Sequence, residues 1–163
     1  MNARAGSARL LLLILPPLVL CAVAAAVRPA DWKPFAQNAL FTHWVYAYRD
    51  WQSVGIRLEQ GDSFSVRARG EWQYSPLVGR NGPDGGRWAP DFYPLETDRS
   101  GARGGALLGR IGDDGLPFLV GRRTSASADA PGDLNLRIND DLLGDNVGRL
   151  QIEITVTRKQ AAP

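Results

Sequence analysis

The 163-residue chain has a single cysteine, Cys21, and a single histidine, His43. Cys21 falls inside an apolar leader and is expected to leave with it, so the rest of the chain has neither disulfides nor thiolate chemistry. Zinc, which prefers Cys and His ligands, is disfavoured by the same shortage. His43 sits in an aromatic stretch with no G-x-S-x-G elbow around it, which removes the usual support for a Ser-His-Asp triad. Helical periodicity is missing too, because no stretch beyond the leader keeps a 3.6-residue apolar repeat for two turns. Nor is there an excess of one charge sign. Lys and Arg number 19 against 17 Asp and Glu, and Arg4 and Arg9 belong to the leader. The pI near 9.0 is therefore partly a property of the leader and gives no support to nucleic-acid binding.

What is present begins with that leader. Arg4 and Arg9 precede an uncharged run from Leu10 to Val27 that closes in Ala22-Val23-Ala24-Ala25-Ala26. The pattern reads as a secretory signal peptide over residues 1–26, cleaved after Ala24 or Ala26, and places the protein in the periplasm or outside the cell. Pro16 and Pro17 weigh against the alternative, a retained anchor, which would be the one route to membrane association. Residues 27–163 are the size of one domain with its own core.

Within that domain, apolar residues alternate with polar ones. Phe41 to Tyr48 is aromatic and β-prone and reads as a first strand. Val54, Ile56 and Leu58, then Phe64, Val66, Ala68 and Trp72, flank the turn Gln60-Gly61-Asp62 and read as a hairpin, with Arg67, Arg69 and Glu71 on its outer face. That arginine row is either a solvated surface or a contact patch. From Ser75 to Gly104 the period disappears, and Trp88, Phe92 and Tyr93 stand in a polar loop where rings need cover. Gly105 to Gly112 and Pro117 to Gly121 read as further strands, the first with small residues that let another backbone approach. Arg122 to Pro131 reads as a polar connection. Short strands at regular spacing predict an all-β fold, an antiparallel β-sandwich.

The last two strands hold the chemistry. Leu134, Leu136 and Ile138 alternate in one, Leu150, Ile152, Ile154 and Val156 in the other. Asn139-Asp140-Asp141-Leu142-Leu143-Gly144-Asp145-Asn146-Val147-Gly148 joins them. Hairpin links are usually about two to five residues, so this longer acidic one asks for a reason. Hard oxygen ligands at short spacing, with Gly144 for a sharp turn, suit Ca²⁺. Turn-forming Asx residues capping their own backbone are the other explanation. Paired carboxylates for glycoside hydrolysis would need an apolar pocket to raise one pKa, and the loop offers none in sequence.

Several segments together resemble the PA-I galactophilic lectin family of galactose-binding-like β-sandwiches. They are Leu58-Glu59-Gln60-Gly61-Asp62, Ala68-Arg69-Gly70-Glu71-Trp72, Gly82-Pro83, Pro90-Asp91, Gly105 to Gly112, Ile138-Asn139-Asp140 and Gly144 to Gly148. The resemblance implies a jelly-roll-like sandwich that binds carbohydrate through Ca²⁺ without catalysis. It implies metal ligation by Asp140, Asp145 and Asn146 with backbone carbonyls from Tyr74 and from Leu143 or its neighbour Leu142. It implies sugar contacts from Asp140, Asp141, Asp145 and Asp91, to which Trp88, an aromatic inserted relative to the family, is added as a candidate. The chain departs from the family in a shorter loop, in Asp145 where an amide is usual, and in Ala89-Pro90-Asp91-Phe92 where the family has His-Pro-Asp-Gln. Those last changes remove two polar side chains that grip galactose, so the identity of the sugar is not implied. Trp88 and Phe92 either stack on a sugar's apolar face or fill a surface groove. A cell-envelope interaction domain that has lost sugar binding is the alternative function, and assembly of identical subunits is left open.

Overall fold

Period-two alternation makes the strands, and the strands make two sheets. In the computed structural model, residues 38–86 and 101–159 are described; the leader lies outside them. The strands are β1 (Asn38–Tyr46), β2 (Gln52–Leu58), β3 (Ser63–Gln73), β4 (Leu107–Ile111), β5 (Phe118–Leu119), β6 (Arg123–Ser127), β7 (Gly132–Ile138) and β8 (Val147–Thr157). One sheet has the order β1-β8-β3-β6 and the other β2-β7-β4-β5, with every pairing antiparallel. This is an all-β sandwich with the jelly-roll strand order. Among the described residues no helix is long and apolar enough to cross a membrane.

The core lies between the sheets. Val54, Ile56 and Leu58 of β2 and Leu134, Leu136 and Ile138 of β7 face Phe64, Val66, Ala68 and Trp72 of β3 and Leu150, Ile152, Ile154 and Val156 of β8, all buried. Each Val, Leu, Ile or Phe side chain among them contributes about 1.5–3 kcal/mol by leaving water. Trp72 is fully buried and donates from Nε1 to the Gly105 carbonyl at 2.7 Å, so the ring's one polar atom is satisfied. The outer face of β3 carries Arg67, Arg69 and Glu71, exposed as the alternation requires.

Three sequence expectations need correction. The segments around Gln60-Gly61-Asp62 do not form a hairpin, because β2 pairs with β7 while β3 pairs with β8 and β6. The turn is an arch between sheets, held by buried Asp62, whose carboxylate accepts the Glu59 and Lys159 amides and the Arg158 guanidinium. Arg122 to Pro131 contains a strand, β6. It is a polar edge strand with no apolar alternation to betray it. The small residue Gly109 makes room for a ring and not for a backbone, since a Cβ there would stand 2.6 Å from Phe118 Cζ.

Candidate functional site

The acidic loop is also an arch: β7 belongs to one sheet and β8 to the other. Crossing between packed sheets, which lie about 10 Å apart, takes more chain than a hairpin does. Length alone therefore no longer calls for a ligand. Gly144 is not the residue the turn depends on either, for it has no positive φ and open space around it. Gly148 is, with φ 98° and a would-be Cβ 3.0 Å from Trp72 Cα.

The placement of the loop's oxygen atoms is what singles it out. Asn139 is fully buried; its amide donates to Ala106 O at 2.7 Å and its carbonyl accepts from Gly105 at 2.8 Å. That pair pins the chain just before Asp140, which is only 3 % exposed. Leu143–Asp145 forms a 3₁₀ turn, which carries Asp145 back toward the body of the domain. Asn146, 3 % exposed, donates from Nδ2 to Ala47 O at 3.3 Å. Asp140 Oδ2, Asp145 Oδ1 and Asn146 Oδ1 are each buried with no hydrogen-bond donor. Native interiors leave very few buried polar atoms bare, and three acceptors on one seven-residue loop demand an explanation.

The electrostatics agree. Burial pushes the Asp140 carboxyl up to about 6 from its ordinary 3.8, against the lowering effect of the Asn146 side chain and the Leu142 amide, with Asp141 and Asp145 adding repulsion. Arg137 supplies the nearest cationic help. By alternation with Leu136 and Ile138 it belongs to the outer face of β7, yet its side chain is only 12 % exposed and binds backbone, donating from Nη2 to Asp140 O at 2.7 Å and from Nε to Ile138 O at 3.2 Å. Its third bond goes to Asp50. The guanidinium thus shapes the loop while leaving Asp140 Oδ2 bare. Its signal in the sequence was an opposite charge three residues before Asp140.

The other expected residues divide. Continuing the β3–β8 register one step past Gln73↔Val147 sets Tyr74 beside Asn146, and Tyr74 is buried. Its ring lies against Gly86 and Gly105, where any Cβ would collide with it. The Leu143 carbonyl already accepts the Asn146 amide at 3.3 Å, although a carbonyl retains a second lone pair. Asp141 is exposed beside the buried group. Trp88 and Asp91 lie outside the described residues. Among the described residues no three Asp, Glu, His or Cys side chains converge as a metal cluster. A cation here would depend on two carboxylates, one carboxamide and backbone carbonyls, a donor set that suits Ca²⁺ and not zinc.

Fold and site together define a jelly-roll domain with an oxygen-rich loop at one end. Among solved structures, a similar fold occurs in the EclA N-terminal domain, described as a PllA-like lectin, with a TM-score of 0.57 and 23 % identity over 72 % of this chain and 97 % of that one. At that identity the likeness establishes the fold. The chain matches no protein-family model and no curated protein.

Proposed function

We propose that this chain is a calcium-dependent carbohydrate-binding domain without catalytic activity, secreted or periplasmic, with its site on the loop Asp140 to Asn146. The observation that carries the reading is the set of three buried oxygens, Asp140 Oδ2, Asp145 Oδ1 and Asn146 Oδ1, that meet no donor. A Ca²⁺ ion would satisfy all three and relieve the repulsion among the carboxylates. It would also supply open coordination positions for a pair of sugar hydroxyls, while Asp140 and Asp145 accept hydrogen bonds from them. The lectin-like fold of a solved neighbour supports the carbohydrate part of the reading.

Calcium titration by calorimetry, on the wild type and on Asp140→Ala, tests the metal. Saturable binding abolished by the substitution is expected, and binding that survives it would remove the site. A glycan array with and without chelator then tests the sugar, and a blank array in calcium would leave an envelope interaction domain in place of a lectin.

A further inference from the structure

The outer face of the β1-β8-β3-β6 sheet carries a second built feature. Arg67 on β3 and Arg123 on β6 are direct cross-strand partners, an arrangement of like charges that destabilises a sheet. Arg67's partner on the other side is Glu153, whose carboxylate lies 3.5 Å from Arg69. Arg122 is engaged with Asp84 at 3.2 Å. Arg67 and Arg123 have no ion pair among the described residues.

Beside this pair the β-ladder has a gap. Ala68 donates to Arg122 O at 3.0 Å, and Trp72 exchanges bonds of 3.1 and 2.8 Å with Asn81. Alternate residues of a strand turn their backbone polar groups to the same side, so the alternation assigns the N–H and C=O of Gly70, midway between them at φ 107°, to the β6 edge, where Gly82 lies against its carbonyl. A groove of about 610 Å³ lies there, lined by Gly70, Glu71 and all four arginines, with Gly82 and Pro83 along it. Guanidinium forks around an unpaired backbone N–H match the needs of a carboxylate or sulfate.

We infer that this groove is a subsite for the carboxylate or sulfate group of an acidic saccharide. Glu71 in the lining, with no aromatic ring among the described residues there to stack a base, argues against nucleic acid. The saccharide as carrier rests on the function proposed above. Gly70 lies three residues along β3 from Gln73, which pairs with Val147 at the end of the acidic loop. That is roughly 10 Å of strand, within reach of a short oligosaccharide.

Calorimetry on the purified protein, with an oligogalacturonate, a sulfated oligosaccharide and a neutral galacto-oligosaccharide, decides it. The acidic ligands are expected to bind at least about tenfold tighter than the neutral one. That gain should shrink as salt rises and vanish in Arg67→Ala/Arg123→Ala, whose exposed positions leave the core intact. Equal affinities, an unchanged double variant, or equal binding of a single-stranded oligonucleotide of matched charge would each overturn the inference. The arms separate the two sites. Acidic ligands binding Asp140→Ala through the arginines, with no calcium bound by the wild type, would uphold the groove and refute the calcium reading. Neutral sugar bound through Asp140 with no gain from acid would do the reverse.

Discussion

Replacing Asp140 by Asn tests whether this loop buries a charge that the protein alone does not satisfy. A carboxyl that keeps its proton up to about 6 when folded, against 3.8 in the open chain, disfavours folding by about 3 kcal/mol at pH 7, at 1.36 kcal/mol per pH unit of displacement. The cost is absent well below pH 3.8, where both states are protonated. It builds between about pH 4 and 6, as the unfolded chain ionises before the folded one, and is complete above that range. Asn keeps the shape and an acceptor for the Asn146 and Leu142 donors but carries no charge. In chelator at pH 7, Asp140→Asn is expected to be more stable than wild type by about 1–3 kcal/mol, and the gap should fall below about 1 kcal/mol at pH 4. Subtracting variant from wild type at each pH cancels the titrating groups that are not coupled to Asp140. With millimolar calcium the order reverses, because binding to the folded state stabilises only the protein that retains the carboxylate. Urea denaturation of both proteins, in chelator at the two pH values and in calcium, measures these stabilities. A metal-free variant no more stable than wild type at pH 7, or a gap that does not narrow at low pH, would refute the reasoning.

Asp62 should behave in the opposite sense: burial raises its pKa, but the Glu59 and Lys159 amides and the Arg158 guanidinium outweigh that and hold it below 3.8. Its stabilisation is present above pH 3.8 and lost as pH falls through the lowered value, so Asp62→Asn should destabilise at pH 7 and matter little in strong acid, by the same denaturation assay. Gly148→Ala meets Trp72 Cα at 3.0 Å in a positive-φ position and should cost more than about 1 kcal/mol, whereas Gly144→Ala, with open space around it, should stay within about 0.5 kcal/mol. Trp72→Ala empties the largest fully buried side chain and is expected to cost about 3–5 kcal/mol in equilibrium unfolding. Trp72→Phe should cost less, since Asn81 Nδ2 also donates to the Gly105 carbonyl at 2.9 Å.

Alternation in β2, β3, β7 and β8 was enough to read from the chain the strands, their inward faces and the sandwich class, because each residue's face is set locally by a period of two. The loop from Asn139 to Asn146 stood out by its closely spaced acceptors, and the family resemblance picked Asp140, Asp145 and Asn146 from it. Which strand lies beside which was not legible: an apolar face turns inward identically in a hairpin and in an arch, so the partners of β2 and β3 depended on packing alone. β6, polar and at an edge, left no periodic trace, and the charge of Arg137 three residues before Asp140 did not show that its guanidinium would bind the loop's backbone. Only tertiary structure decided that Asp140 is buried, that three oxygens lack donors, and that Arg67 and Arg123 meet as cross-strand partners beside Gly70. Burial and cross-strand register arise between segments distant in sequence, and no local pattern encodes them.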